Sequence, residues 1–260
     1  NVGEIARWRA SADRVLSLYE DTWQLDRDLR GSATPRIARE RSDEARLRIT
    51  DLCIAEPSGR ILLEHFDTDV GPGERVLVAG DPSVTGGLFK VIGGLWPWGS
   101  GRVTLPADGG LLFMPQRPYL PEGTLREALC YPQSADGCSD AELRSALDRV
   151  GLGSLLPRLD ERDNWDQALP LRAQQQLGFA RALVQRPDWI FMEGATDAFG
   201  PEGERQILQM LHEALPGATL LVISFHPGLE TLHDRTLVLE RVAESKFLFE
   251  GRRANGGANH

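Results

Sequence analysis

Short, continuous apolar runs are the sequence feature that most limits how this chain can fold. Three of them are GLLFM at 110–114, WIFM at 189–192 and LLVIS at 220–224. None alternates apolar with polar residues, so none predicts a strand with one face in water. Continuous apolar strands are typical of a parallel sheet that is covered on both faces. We therefore predict an α/β fold.

The segments between these runs predict helices. Thr124 and Ser139 each begin the S/T-x-x-E pattern of a capping box, which predicts a helix start at both positions. Residues 203–217, GERQILQMLHEALPG, have an amphipathic pattern that stops at Pro216-Gly217. Earlier in the chain, turn residues at 57–59 and 71–73 separate short predicted strands.

The chain is predicted to divide into three parts. Residues 1–46 have an amphipathic helical pattern followed by a polar, charged stretch, 31–46, that is typical of a linker. Residues 47–250 are predicted to form the compact domain. Residues 251–260 are predicted to be a disordered tail. Because the first residue is Asn1, we interpret the chain as a fragment of something longer.

Charge and cysteine usage narrow the range of functions. The formal net charge is −9 and there is no long Lys/Arg run, so no nucleic-acid partner is expected. The spacing of Cys53, Cys130 and Cys138 suits neither a zinc site nor a disulfide framework, so each is predicted to be a reduced thiol, which favours a cytosolic setting. No apolar run approaches about 18 residues, so no membrane helix is predicted within the chain.

The segment GDPSVTGG at 80–87 has the setting of a phosphate-binding loop, because it lies between a strand-like and a helix-like run. Such a loop reads G-x-x-x-x-G-K-[ST], in which backbone N–H groups cradle phosphates, the lysine neutralises charge and the hydroxyl binds Mg²⁺. Counted forward from Gly80, glycines stand at both of the last two positions. The segment is either a weak phosphate site or a plain strand-to-helix turn. The candidate phosphate-binding residues are Gly80, Asp81, Ser83, Thr85, Gly86 and Gly87.

The order of the later segments resembles a known family. FMPQRPYLPEGTLREALCYP at 113–132 is followed by LPLRAQQQLGFARALVQRPDWIFMEGATDAFG at 169–200, as in the nucleotide-binding domain of ABC transporters. The resemblance covers residues 47 to about 240. It is greatest to the branch in which this domain follows a six-helix permease, as in peroxisomal fatty-acyl transporters and bacterial vitamin B12 and peptide importers. It implies a P-loop ABC-ATPase-like core with a parallel sheet, a small antiparallel β portion, and a helical subdomain between about Pro118 and Gln176.

The resemblance also implies ligands and partners. The family's ligands are ATP and Mg²⁺, and their binding here is expected to be weak or absent. The implied partners are a permease, expected in the same full-length chain with residues 1–46 as its cytoplasmic end, and a second nucleotide-binding domain in a dimer. The implied location is the cytoplasmic face of a membrane.

Four positions carry the family's hydrolytic chemistry. Glu193 stands where the family has the aspartate that orients Mg²⁺, and Gly194 stands at the catalytic glutamate. Gln116 matches the glutamine that touches Mg²⁺ and faces the permease, and His226 is the candidate switch histidine. Because glycine cannot act as a base, Glu193 and His226 are weak catalytic candidates, and Glu193 and Gln116 are weak metal ligands.

The loop that completes a site across the dimer also departs from the family pattern. The signature, L-S-x-G-E-Q-Q in this branch, reads LPLRAQQ at 169–175. Pro170 replaces the serine that contacts a γ-phosphate, Arg172 replaces a glycine where backbone approaches phosphate, and Gln174 remains. The D-loop, usually S-A-L-D, reads DAFG at 197–200.

The phosphate loop can also be aligned from its other end. Counting back from Leu88 by the family pattern puts Thr85 at the lysine position, whereas counting forward from Gly80 puts Gly86 there. The lysine is missing in both alignments.

These substitutions favour a pseudo-ATPase, which folds and docks without hydrolysing ATP, because the folding pattern around them is kept. Two alternatives remain: an active domain that powers transport by ATP hydrolysis, and a purely structural dimerisation or docking domain. The site residues have structural interpretations too: Glu193 as a strand-end carboxylate, Gln116 as a backbone-bonded amide and His226 as a structural histidine.

Overall fold

The computed structural model of the chain describes residues 36–107 and 109–243. The predicted N-terminal helix and the predicted disordered tail lie outside the described residues. The strands are β1 Ala38–Ser42, β2 Leu47–Ala55, β3 Ile61–Val70, β4 Arg75–Gly80, β5 Gly99–Pro106, β6 Leu111–Pro115, β7 Gly123–Thr124, β8 Arg162–Asp163, β9 Trp189–Glu193, β10 Thr219–Ile223 and β11 Arg235–Leu239. The α-helices are α1 Pro82–Gly93, α2 Leu125–Cys130, α3 Asp140–Arg149, α4 Trp165–Ala168, α5 Leu171–Gln185 and α6 Gly200–Ala214.

Five parallel strands form the central sheet, in the order β11-β4-β10-β9-β6. Successive residues of one strand enter different apolar cores. Ile190 packs in the core that contains the apolar residues of α2, α3, α5 and α6, whereas Phe191 packs in the core that contains those of α1, β2 and β3. Val222 and Ile223 of β10 divide in the same way. Both faces are covered, which explains why the apolar runs do not alternate, and the predicted α/β fold is confirmed.

A second, smaller sheet has the order β1-β5-β2-β3, with β2 antiparallel to both of its neighbours and β1 parallel to β5. The predicted antiparallel β portion is confirmed. The predicted linker at 31–46 is wrong for residues 38–42, because these form β1 and pair with 102–106. An edge strand is held by backbone hydrogen bonds and is often charged, so its composition does not distinguish it from a linker.

Helices α2 to α4 and the first part of α5 form the predicted helical subdomain. Both predicted capping boxes are present: the N–H of Glu127 donates to Thr124 Oγ1 at 3.1 Å, and the N–H of Glu142 donates to Ser139 Oγ at 3.3 Å. Trp165 is fully buried inside the subdomain. Across the described ranges, no helix has both the length and the apolarity that crossing a bilayer requires.

Two of the three cysteines are joined in this subdomain. Cys130 and Cys138 form a disulfide with their Cα atoms 6.5 Å apart, whereas Cys53 is buried and free. The prediction of three reduced thiols is therefore wrong for this pair. The two side chains meet because residues 131–137 turn back towards α2, and sequence spacing does not reveal that turn.

Two buried imidazoles also pack together. The ring centroids of His212, on α6, and His233, just before β11, are 6.0 Å apart. Neither Nε2 atom has a hydrogen-bond partner among the described residues. Burial, together with the positive charge of Arg75, lowers the pKa of His212 to about 4, and burial lowers the pKa of His233 as well. At neutral pH both rings are therefore uncharged in the folded chain.

We expect acid to destabilise the fold through His212. Its pKa is about 6.5 in an unfolded chain and about 4 in the folded one, so the unfolded state takes up a proton first as the pH falls. The unfolding free energy therefore falls by on the order of 3 kcal/mol as the pH is lowered from about 6.5 to about 4, and above pH about 6.5 this contribution is fully present. His212→Phe should flatten this part of the pH dependence of the unfolding free energy, measured by urea denaturation.

His65→Asn is a histidine variant at an exposed site. The His65 side chain is 81% exposed, its Nδ1 lies 2.8 Å from Asp51 Oδ1, and asparagine tolerates its positive φ of 52°. This variant leaves the buried His212 ring in place, so the slope that His212 causes towards pH about 4 should remain. A His212→Phe chain that also keeps that slope between pH about 6.5 and 4 would contradict the role of His212.

Candidate nucleotide-binding site

The strand-to-helix connection after β4 is a single residue. β4 ends at Gly80 and α1 begins at Pro82, so only Asp81 lies between them. The Asp81 carboxylate accepts hydrogen bonds from the N–H groups of Ser83, at 2.8 Å, and Val84, at 3.3 Å. Bonds from the Ser83 side chain and from these two backbone groups lower the pKa of Asp81. Aspartate at the N-cap and proline in the first turn are strong helix-start signals, so the sequence DPS itself places the helix here.

The candidate phosphate-loop residues after Ser83 lie within α1 rather than in a loop. Thr85 is fully buried, and its Oγ1 donates to the carbonyl of Pro82 at 3.4 Å. A Cβ on Gly86 would lie 2.7 Å from Glu193 Oε1, and one on Gly87 would lie 3.2 Å from the Ile54 side chain. These glycines therefore let α1 approach β9 and β2 closely.

Gly80 has a packing role of the same kind. Its φ is +125°, and a Cβ there would lie 1.9 Å from the carbonyl oxygen of Leu239 in β11. Only glycine allows this approach of β11 to the end of β4. The glycine that opens the candidate loop is thus required by the sheet itself.

Glu193 lies at the end of β9 with its carboxylate beside α1. Partial burial raises its pKa; the charge of Lys90 opposes this rise and the charge of Asp197 adds to it. The Lys90 ammonium lies over the Trp96 ring, 5.3 Å from its centroid. Glu193 is therefore a half-buried carboxylate next to a second carboxylate, with Lys90 as a cation that acts on it.

The next residue, Gly194, has little space for a side chain. Its φ is +62°, and a Cβ would lie 3.0 Å from Asp197 Oδ2 and 3.1 Å from Gln116 Cβ. The Gln116 amide donates to the same Asp197 oxygen at 2.7 Å. Where the resemblance implies a catalytic glutamate, the structure places the Asp197–Gln116 pair. Gln116 thus bonds a side chain of the D-loop segment.

His226 is held by a buried carboxylate that sequence reasoning missed. Its Nδ1 pairs with Oε2 of Glu204, a fully buried residue on α6, and Thr196 Oγ1 donates to the other Glu204 oxygen at 2.6 Å. Glu204 lies on the helix face of Leu208 and Leu211, both fully buried. The sequence contains a signal for this residue. A glutamate on the apolar face of an amphipathic helix predicts a buried carboxylate, which needs a hydrogen-bond partner.

Gln175 is a second buried polar residue at the site that the motif comparison did not single out. Its Nε2 donates to the carbonyls of Gln116, at 2.9 Å, and Gly194, at 3.0 Å, and its Oε1 accepts from the N–H of Ala198 at 3.1 Å. The side chain is almost wholly buried. It therefore links α5 to the loops that follow β6 and β9.

The candidate signature residues contact their own chain. Pro170 caps α5 without a side-chain hydrogen bond. The Arg172 guanidinium lies over the Phe199 ring, 5.0 Å from its centroid, and Phe199 also packs edge-on against Phe179. Gln174 donates to two backbone carbonyls near α4. The structure thus brings Arg172 to the D-loop segment, and it brings Gln116, Glu193 and Gly194 together at the end of β9.

The charges of the site are mainly negative. Asp81, Glu193 and Asp197 contribute carboxylates close to the end of the sheet, and no Lys or Arg stands at the phosphate-loop positions 80–87. Within residues 36–107 and 109–243, no three or more His, Cys, Asp or Glu side chains are grouped as a metal ion would require.

Comparisons with known proteins give relatives and a structural neighbour. No protein-family model matches the chain. It is 32% identical over 191 residues to an uncharacterized ABC transporter ATP-binding protein of Haemophilus influenzae, over 73% of this chain and 32% of that protein. It is 34% identical over 197 residues to human ATP-binding cassette sub-family D member 3, over 72% of this chain and 29% of that protein. The match to ABC transporter D family member 1 of Arabidopsis thaliana is 31% over 243 residues, or 88% and 18% of the two chains.

The chain therefore spans about a third or less of the length of these relatives. Among solved structures, a bacterial Atm1-family ABC exporter with ATP bound has a TM-score of 0.63 and 21% identity. The match covers 82% of this chain and 40% of that one. At this identity the likeness shows the fold.

Alanine substitutions can test how tightly the site is closed around Gly194. Gly194→Ala combines a positive φ with crowding by Asp197 and Gln116, whereas Gly200→Ala has a φ of +71° in open space. Forcing alanine into a left-handed conformation costs about 1–2 kcal/mol. We expect Gly194→Ala to lower the unfolding free energy by more than Gly200→Ala does, in urea denaturation.

Gly217→Ala provides the baseline, because that site is open and its φ is not positive. It should change stability little. Equal losses for Gly194→Ala and Gly200→Ala would show that the space beside Gly194 is larger than the structure indicates.

Proposed function

By its homologues and its fold the chain is an ABC transporter nucleotide-binding domain, and we propose that it is a pseudo-ATPase that docks on a permease without hydrolysing ATP. The observation that carries this proposal is the Asp81 cap. The carboxylate already occupies N–H groups of the first turn of α1, where a phosphate would otherwise bind. A phosphate would have to displace a charge of its own sign.

The missing lysine supports the same conclusion. Thr85, Gly86 and Gly87 cover both possible registers of the phosphate loop, and none is basic. A charge pair at about 4 Å is worth on the order of 4 kcal/mol at an effective dielectric constant of about 20. We infer that ATP binds weakly or not at all.

The residues at the end of β9 support loss of hydrolysis. Burial disfavours the charged form of Glu193, and Gln116, whose Nε2 donates to Asp197, offers a metal ion only its neutral Oε1. The described residues thus do not fit a Mg²⁺ site, and we route no step through that ion. Gly194 supplies no base to activate water, and its left-handed backbone and the tight contacts of its Cβ position disfavour one.

An active ATPase is the second candidate. Its support is that Gln116, through Asp197, and His226, through Glu204 and Thr196, are both bonded to the loop that directly follows Glu193. We favour the pseudo-ATPase because the retained residues do not replace the missing groups. The phosphate loop has no cation to bind phosphate, and position 194 has no base to activate water. A purely structural docking domain is the third candidate, and it would share the docking surface described next.

We propose that the domain docks on its permease through an apolar groove of about 390 Å³, here called the docking groove. Leu95 and Tyr119 at the groove are 73% and 62% exposed, and such exposed apolar patches are typical of interaction sites. Gln175, which is bonded to the carbonyl of Gln116, also lines it. The lining includes Phe89, Leu95, Phe113, Tyr119, Tyr131, Gln175 and Arg181.

The remaining parts of the proposal concern the whole protein. The relatives are more than twice as long as this chain, which leaves room for a permease in the same polypeptide. We propose that residues preceding β1 continue from that permease, that the domain lies at the cytoplasmic face of a membrane, and that a second nucleotide-binding domain pairs with it. The compact domain would then extend from about residue 36 to about 250, with a tail at 251–260.

We expect no phosphate release above background from the chain, alone or mixed with an intact relative. In the family each site combines the phosphate loop and catalytic glutamate of one subunit with the signature of the other. This chain has substitutions in the first set at 85–87 and 194, and in the signature at Pro170 and Arg172. Loss of one donor costs about 10²–10³ in rate, and loss of a base costs about 10²–10⁴ more. The measurement is phosphate release with MgATP, with the intact relative alone as the positive control.

Binding and catalysis are tested separately. Titration of labelled MgATP should give no saturation in the low micromolar range. Turnover by the unmodified chain that is abolished by Glu193→Gln or His226→Ala would overturn the pseudo-ATPase and support the active one. Gly194→Glu should not restore turnover, because the backbone there is left-handed and Asp197 and Gln116 crowd the Cβ position.

A further inference from the structure

Arg181 is a buried cation at the docking groove. It lies on α5, is 7% exposed, and lines the groove together with Tyr119 and Tyr131. Its Nε and Nη2 atoms donate to the carbonyl of Ala128 at 3.2 and 2.6 Å, and Nη2 also donates to the carbonyl of Tyr119 at 3.0 Å. Its guanidinium lies 5.5 Å from the centroid of the Tyr131 ring.

No carboxylate of the described residues pairs with this guanidinium, and its Nη1 makes no hydrogen bond to them. Burial lowers the pKa of Arg181 to about 10, so the side chain is still charged at neutral pH. Backbone carbonyls satisfy its donors in part but do not neutralise its charge. A buried charge without a counter-charge is costly, and covering the groove with an apolar segment would remove the remaining water.

We propose that the permease segment that fills the docking groove carries an aspartate or glutamate whose carboxylate pairs with Arg181. This inference rests on the proposed docking of the domain on a permease. An apolar side chain of the segment would pack between Phe89, Phe113 and Tyr131, and the carboxylate would reach Nη1. A carboxylate suits this position because it forms charge-assisted bonds with a guanidinium and supplies the missing negative charge.

The size of the relatives supports an occupant from outside the described residues. The part matched by this chain makes up only 18–32% of the length of these relatives. The rest of each relative is long enough to contain such a segment. The groove is apolar on its walls and cationic at one point, so it favours a segment with one acid over a purely apolar one. It disfavours a segment that places a lysine or arginine against Arg181, because like charges would then be buried together.

A zero-length cross-link can test this pairing in the full-length protein. Arg181→Lys introduces an amine, and a carbodiimide joins a lysine amine to a carboxylate as an amide, with the carbodiimide taking up the water as a urea. We expect a new cross-link from position 181 to an aspartate or glutamate of the permease, identified by mass spectrometry. The unmodified protein, which has no amine at that position, gives the background.

A second variant covers the case in which Arg181→Lys does not fold. Gly178→Lys lies one helical turn away on α5, also lines the groove, and leaves Arg181 in place; a Cβ there makes only ordinary contacts of 3.6 Å or more. It should cross-link to the same acidic residue. Thermal unfolding of both variants shows which of them is folded.

A photo-reactive benzophenone amino acid at position 95 separates this inference from the proposed docking. Leu95 is exposed at the groove, and benzophenone reacts with C–H bonds of any neighbour. Photo-cross-links to the permease without carbodiimide cross-links from a folded 181 or 178 variant would overturn the carboxylate and keep the docking. The absence of both would overturn the two together. Carbodiimide cross-links only to residues 1–35 or 244–260 would show that the chain supplies its own acid, which also overturns the inference.

Discussion

The side-chain amide of Gln175 is the interaction on which the candidate site depends. It joins α5 to three backbone groups that are distant in sequence, those of Gln116, Gly194 and Ala198. Because the amide is almost wholly buried, these groups have little water to replace it, and each bond left unmade would cost about 1–3 kcal/mol. The loops after β6 and β9 are therefore fixed relative to the helical subdomain without any ligand.

A second set of polar contacts extends this arrangement from the loop after β9. Thr196 bonds the buried Glu204, and Glu204 pairs with His226. The loop between Gly194 and Gly200 is thus tied on one side to Gln116 and Gln175 and on the other to α6 and His226. Its polar groups find their partners within the protein. In a site that is completed by ATP and Mg²⁺, donors and carboxylates would be expected to remain free for the ligand.

Electrostatics distinguish the candidate nucleotide site from the docking groove. The nucleotide side has Asp81 at the start of α1 and Glu193 and Asp197 near the end of β9, which oppose another anion. The docking groove has the opposite character, with apolar walls and the buried Arg181. The two surfaces meet at Gln175, which lines the groove and bonds the loop after β9. The proposed docking on a permease and the proposed loss of nucleotide chemistry therefore depend on two different surfaces of the domain.

Much of the fold could be predicted from the sequence, because local patterns specify it. The apolar runs predicted the parallel sheet, the capping boxes at Thr124 and Ser139 predicted two helix starts, and the motif order predicted the family, which the homologues confirm. β1 was missed because an edge strand depends on backbone pairing with β5, and the pairing of Cys130 with Cys138 was missed because it depends on a turn.

The sequence by itself also determined which groups the candidate site lacks, since a glycine at 86 or 194 has no side chain in any fold. Only the tertiary structure decided what occupies those places. Glu193 lies against Gly86, and Gln116 lies against Gly194. Partners of this kind are distant in sequence. They are fixed by the approach of α1 to β9 and by the buried bonds of Gln175, which no local pattern encodes.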